Sequence, residues 1–202
     1  MAYRAVQLGI AARVFGVDVA PGRIIVTAGA SAALHLACLA LIEAGDEILM
    51  PDPSYPCNRH FVGAAEGRST LIPTTAAERF QLTADKVDAA WGAQTRGVLL
   101  ASPSNPTGTS MAPDELQRLH SLVHSRGGIT LMDEIYLGLS HDDQFGQSAL
   151  GLGDDVISIN SFNLIRVLRK LCFNCSNGGQ LSQSSCFVFK IILQKGAIKM
   201  CS

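Results

Sequence analysis

Two short apolar runs, Val98-Leu99-Leu100-Ala101 and Ile129-Thr130-Leu131-Met132, flank a stretch of helical period between Pro113 and Arg126. Pro113 stands in the first turn with acids just behind it. Leu116, Leu119, Leu122 and Val123 fall on one face, and Gly127-Gly128 follows Arg126. These are the start and stop signals of a helix, so the segment reads as strand, helix, strand. Short strands of this kind, joined by a helix, belong to parallel sheets covered on both faces, and such sheets bind ligands outside the carboxyl ends of their strands. The first strand delivers Ser102-Pro103-Ser104-Asn105-Pro106-Thr107-Gly108 to that edge, and the second delivers Asp133-Glu134-Ile135-Tyr136. Asn105, Asp133 and Tyr136 are therefore expected to converge on one small molecule.

The same alternation runs through the rest of the chain. Strands are expected at Ile24–Thr27, Glu47–Met50, Thr70–Pro73 and Val156–Asn160, and helices at 3–15, Ala32–Glu43, Asn58–Ala65 and Thr83–Trp91. The fold class is α/β, a mainly parallel sheet flanked by helices. Between the first strand and its helix, Ala28-Gly29-Ala30-Ser31 is a run of small residues, which leaves the first helical N–H groups open to an anion. Ser31 adds a hydroxyl there, and it also reads as an ordinary N-cap. The spacing is not the Gly-x-Gly-x-x-Gly of dinucleotide folds, which disfavours a nicotinamide cofactor. Pro51-Asp52-Pro53-Ser54-Tyr55-Pro56 is a rigid loop able to hold the Tyr55 ring against a flat ligand. His120 and His124, four apart on a helix, read as a solvated face, and no metal site is expected.

Asn105-Pro106-Thr107-Gly108 followed by Asp133-Glu134-Ile135-Tyr136 at a strand end resembles the large domain of class I/II aminotransferases, which are fold-type I enzymes dependent on pyridoxal 5'-phosphate. The resemblance covers about residues 4–162. It implies amino-group transfer between an amino acid and a 2-oxo acid, and it implies roles for the matching residues. Asp133 would pair with the ring nitrogen, and Asn105 and Tyr136 would address the phenolic oxygen. Tyr55 would stack on the ring, while Ala30, Ser31 and Ser161 would hold the phosphate. Alternatives are a noncatalytic truncated or frame-shifted remnant, or another reaction on the same fold, such as that of a decarboxylase or lyase. The family's strand-end lysine, which links covalently to the cofactor aldehyde, falls at Leu164, and Lys170 is six positions late. No catalytic residue is therefore assigned, and the chain as it stands is expected to be inactive.

Composition marks a boundary at the same place. The 202 residues carry a net charge of −1, but residues 163–202 hold no acid and six basic residues, and four of the six cysteines. Residues 1–162 are thus expected to form a partial cofactor-binding large domain. Residues 163–202 are expected to be a divergent tail rather than a domain, with Cys186–Leu193 able to pair as a strand. Cys172-x-x-Cys175 has no second close pair, which argues against zinc. The near-neutral charge argues against a nucleic-acid partner, and no apolar run reaches membrane-span length. The N-terminus lacks a signal-peptide pattern, so a cytoplasmic location is expected. The family expectation of a homodimer is weakened here, because the family's N-terminal segment is missing.

Overall fold

A computed structural model describes residues 16–139, 143–161 and 189–192, with Pro21, Asp143, Ser161 and 189–192 described by backbone alone. The helix expected over 3–15, the lysine-equivalent Leu164 and the candidate Lys170 lie outside the described residues.

The strands are β1 (Ile24–Thr27), β2 (Glu47–Asp52), β3 (Arg68–Pro73), β4 (Thr95–Ala101), β5 (Ile129–Asp133), β6 (Val156–Ser161) and β7 (Phe189–Ile192). They form one sheet in the order β1-β7-β6-β5-β4-β2-β3. The five strands from β6 to β3 run parallel, and β7 lies antiparallel between β1 and β6. The strand expected in Cys186–Leu193 thus takes the shorter span Phe189–Ile192 and has two partners.

Among the described residues, four α-helices cover the sheet: α1 (Ala30–Leu41), α2 (Cys57–Ala64), α3 (Ala84–Ala90) and α4 (Pro113–Ser125). On one face, Ala33, Leu34, Ala37, Cys38 and Leu41 of α1 and Val62 of α2 pack on Ile48, Met50, Leu99, Leu131, Ile157 and Ile159. On the other, Val87 of α3 and Leu116, Leu119 and Val123 of α4 pack on Leu49, Val98, Leu100, Met132 and Val156. Neighbouring residues of each central strand serve opposite cores, so these strands read as continuous apolar runs. Burial of each large aliphatic side chain contributes about 1.5–3 kcal/mol, so the two layers supply most of the driving force for folding.

Polar contacts and one close backbone approach fix the sheet at its amino edge. At the amino edge, the buried Glu47 carboxylate accepts bonds from Thr70 and Thr95 Oγ1, both at 2.6 Å, and from Arg68 Nη2 at 3.0 Å, joining β2 to β3 and β4. Gly97 sets the spacing of β4 and β5, since a Cβ there would lie 2.2 Å from the Ile129 carbonyl oxygen.

The solvated histidine face needs correction. His124 is exposed, but His120 is only 5% exposed, because α4 lies flat on β5 and turns that ring inward. Its Nδ1 is 3.4 Å from Thr130 Oγ1 and its Nε2 is 3.3 Å from Asp155 Oδ1, while His124 Nδ1 is 2.6 Å from Asp155 Oδ2. Burial holds the His120 imidazole below its usual proton affinity despite the Asp155 charge.

Candidate functional site

The carboxyl edge of the sheet gathers the expected residues. β5 ends at Asp133, level with Ala101 of β4 and Ile159 of β6. The Asp133 carboxyl shares the α1 face with Leu131 and is 8% exposed. Among the described residues its one hydrogen-bond donor is the Ile135 amide, at 3.2 Å. Burial raises its pKa to about 7; the Ile135 bond opposes that rise and the neighbouring Glu134 charge adds to it.

Tyr55 is half-buried at the start of the turn into α2. Its hydroxyl is pushed to higher pKa by a hydrogen bond with Cys57, then by the Cys57 charge, burial, and the charges of Tyr136 and Asp133. Tyr136 and Asp133 therefore both lie near enough to act on the Tyr55 hydroxyl. Tyr136 follows β5 in a turn held by the Leu137 amide on the Glu134 carbonyl at 3.0 Å. With Asn105 it lines an open cleft of about 690 Å³, to which Arg79 and Phe145 also contribute. That volume lies within the range of small-molecule sites.

The Asn105 loop is braced from within and from outside. Gly108 donates its amide to the Ser104 carbonyl at 2.7 Å, and Ser104 donates to the Thr109 carbonyl at 2.9 Å. Gln81 Nε2 spans the loop, donating to the carbonyls of Ala101 at 3.2 Å and Thr109 at 2.9 Å. Arg79 Nε donates to the Ser110 carbonyl at 2.9 Å, and its guanidinium lies 4.3 Å from the Phe145 ring centroid. Gln81 and Arg79 escaped sequence reasoning, because lone polar residues outside any periodic element carry no local signal.

The small-residue turn reaches the same edge by register. Thr27 aligns with Phe189, and Phe189 aligns with Ser161, so the exits of β1 and β6 lie level at the same edge with β7 between them. Ser161 is placed there by its backbone. α1 then begins at Ala30, with Gly29 rather than Ser31 at the N-cap, and no side chain caps it. Gly29 has φ 149° and ψ 161°, a region that side-chain-bearing residues avoid. The first helical bond runs from the Ala33 amide to the Gly29 carbonyl at 2.9 Å, which leaves the Ala30, Ser31 and Ala32 amides outside the helical ladder. Ser31 is exposed in this first turn.

The structure therefore brings Asp133, Tyr55 and Tyr136 together, and joins Asn105 to Tyr136 across one cleft. Ala30, Ser31 and Ser161 form a second group along the same edge. An acidic, aromatic group and open helix amides along one sheet edge are the chemistry that a flat cationic ring carrying an anionic group would use.

The family profile for aminotransferase class I and II matches residues 6–162. The chain is 35% identical over 144 residues to a probable N-acetyl-LL-diaminopimelate aminotransferase of Bacillus subtilis (strain 168), an alignment covering 71% of this chain and 36% of that protein. It is 36% identical over 149 residues to a valine–pyruvate aminotransferase of Mycobacterium tuberculosis, covering 73% of this chain and 38% of that one. Among solved structures, an aminotransferase from Mycobacterium tuberculosis superposes with a TM-score of 0.79 at 28% identity, over 95% of this chain and 46% of that one. The chain thus spans less than half the length of these relatives.

Proposed function

The chain belongs to the class I and II aminotransferases, and from that membership we propose that the cleft at the carboxyl edge of its sheet holds pyridoxal 5'-phosphate for amino-group transfer between an amino acid and a 2-oxo acid. The family is generally dependent on this cofactor. The observation that carries the reading is the Asp133 carboxyl, which is buried and has one amide donor and no cation partner among the described residues. A protonated ring nitrogen supplies the missing counter-charge, so the residues present fit the cofactor.

When bound, the cofactor supplies an electron-withdrawing ring that takes up the electrons of the bond broken at the substrate α-carbon. Asp133 keeps the proton on the ring nitrogen, since a close ion pair in a poorly solvated site outweighs a neutral hydrogen bond. Asn105 and Tyr136 orient the ring through its phenolic oxygen, and Tyr55 covers one ring face. The amides at Ala30 and Ser31, with the Ser31 and Ser161 hydroxyls, hold the phosphate. Position 164 is Leu, so in this reading the cofactor is held without a covalent bond at that strand end. Residues 1–162 supply the cofactor-binding part, and 163–202 form a divergent tail that contributes β7. The names of the relatives favour amino transfer over the decarboxylase and lyase alternatives as the reaction of the lineage.

Titration of the 202-residue chain with pyridoxal 5'-phosphate, followed by cofactor absorbance and equilibrium dialysis, tests the proposal. Saturable binding weakened tenfold or more, on the order of 1.4 kcal/mol, by Asp133→Ala is expected. Borohydride should leave no cofactor attached at the end of β6. Equal binding by Asp133→Ala would overturn the assignment.

A further inference from the structure

Glu134 follows Asp133 directly, but strand alternation turns its side chain to the opposite face of the sheet, where it is 2% exposed. There its carboxylate accepts bonds from Ser158 Oγ at 2.6 Å, Ser148 Oγ at 2.7 Å and the Ala149 amide at 2.6 Å. The backbone of Glu134 is fixed as well, its amide donating to the Ile159 carbonyl at 2.8 Å and its carbonyl accepting the Leu137 amide at 3.0 Å. β5 ends at Asp133, so beyond it the chain leaves the ladder of regular strand pairing and these contacts take over. They lie between the buried Asp133 and Tyr136, which lines the cleft. Burying a carboxylate is costly, and an apolar residue of similar volume would often stabilise the fold as well or better. Donors from two segments converging on this carboxylate indicate a use beyond stability.

We propose that Glu134 is a positioning residue for the cofactor site, whose carboxylate, clamped by Ser148, Ala149 and Ser158, sets where the Asp133 carboxyl and the Tyr136 ring stand at the end of β5. The clamp acts in two ways. It fixes the backbone from which both side chains project. It also places a second negative charge behind Asp133, which adds to the effect of burial in raising the proton affinity of that carboxyl. The Asp133 charge reaches Tyr55, which is itself bonded to Cys57 and also feels Tyr136, but neither phenol adds to the shift of Asp133. They leave Glu134 as the one carboxylate acting on Asp133 among the described residues. A paired negative potential of this kind strengthens the attraction for a protonated ring nitrogen.

The inference rests on the cofactor reading only for its second readout. The first is the titration of Asp133 in the cofactor-free 202-residue chain, followed by carbon-13 NMR of labelled aspartate carboxyls. In Glu134→Gln the Asp133 midpoint should fall by about one pH unit. The dissociation constant for pyridoxal 5'-phosphate should rise about tenfold, on the order of 1.4 kcal/mol. A purely structural role would lower stability and leave both values of the folded protein unchanged, so a folded Glu134→Gln with an unmoved midpoint overturns the proposal. Should that variant fail to fold, the double variant Ser148→Ala/Ser158→Ala keeps the charge and removes two donors. It should weaken cofactor binding about threefold and shift the Asp133 and Tyr136 resonances, whereas unchanged resonances overturn the proposal. A wild-type chain that binds no pyridoxal 5'-phosphate would refute the cofactor reading, while the Asp133 titration would still decide the role of Glu134.

Discussion

Asp133 and Glu134 are adjacent in the chain and present their carboxyls to opposite faces of one sheet. Asp133 has the Ile135 amide at 3.2 Å as its one donor among the described residues, whereas Glu134 is surrounded by Ser148, Ala149 and Ser158. One carboxyl is solvated by the protein and its neighbour is left short of partners.

That shortage makes Asp133 a source of instability in the cofactor-free chain. Its pKa rises from an ordinary 3.8 to about 7 on folding. Between those values the folded state binds more protons than the unfolded state, so the contribution of this group to stability falls as pH rises from about 4 through 7. The full shift corresponds to roughly 4 kcal/mol once the group is ionised. Asp133→Asn should therefore stabilise the chain at pH 8 by about 1–3 kcal/mol, after allowing for a buried amide, and should differ little from wild type near pH 3. Urea denaturation at both pH values measures this, and a variant less stable at pH 8 would contradict it.

Glu47 has the opposite sign. Burial alone would raise its pKa, but hydrogen bonds from Thr70 and Thr95, with the charge and hydrogen bond of Arg68, hold it below the ordinary value. Its contribution is present above the unfolded carboxylate pKa and is lost as pH falls through the lower folded one. Glu47→Gln should cost about 1–3 kcal/mol at pH 7 and progressively less in acid. A cost that stays constant down to pH 2 would show that volume, not charge, holds these strands.

Gly97→Ala should be among the most damaging single-atom additions. The new Cβ would meet the Ile129 carbonyl oxygen at 2.2 Å, and backbone cannot yield as a side-chain tip can. A loss of about 3 kcal/mol or more is expected, with β4 and β5 forced apart. Amide hydrogen exchange along both strands should quicken; unchanged protection would refute the close approach.

Tyr55 separates ring from hydroxyl. Tyr55→Phe keeps the ring and removes the bond to Cys57, so pyridoxal 5'-phosphate affinity should stay within about twofold of wild type, while Tyr55→Leu should weaken it about tenfold. Equal losses in the two variants would assign the role to the hydroxyl instead.

Much of the architecture could be read from periodicity, because most elements are local. Pro113 and the leucine face of α4 predict that helix to within a residue of its observed end at Ser125. β2 and β4 run further than expected, to Asp52 and back to Thr95, because pairing with neighbouring strands carries a strand past its apolar run. Asn105, Asp133, Tyr136 and Tyr55 were visible because each sits at a strand exit or on a proline-rich turn. Burial of His120 was invisible, since helical spacing does not say which turn lies over Thr130 and beside Asp155. Ser31 looked like a cap, but Gly29 takes that place because the chain turns through a conformation that Ser would resist. Glu134 shows the deeper limit: its donors come from positions 148, 149 and 158, and only the folded sheet brings them together.

The position of β7 has a consequence for synthesis. β1 is synthesised well before its hydrogen-bonding partner in the sheet, the segment from Phe189 to Ile192. Until then Ile24–Thr27 lacks its neighbour on the β6 side, although α1 can already pack on β2, β4 and β5. The nascent chain can close the Asp133 half of the edge while the Gly29–Ser31 half waits. A ribosome stalled before codon 189 should therefore display a protease-sensitive β1 beside an already resistant β2–β5 block.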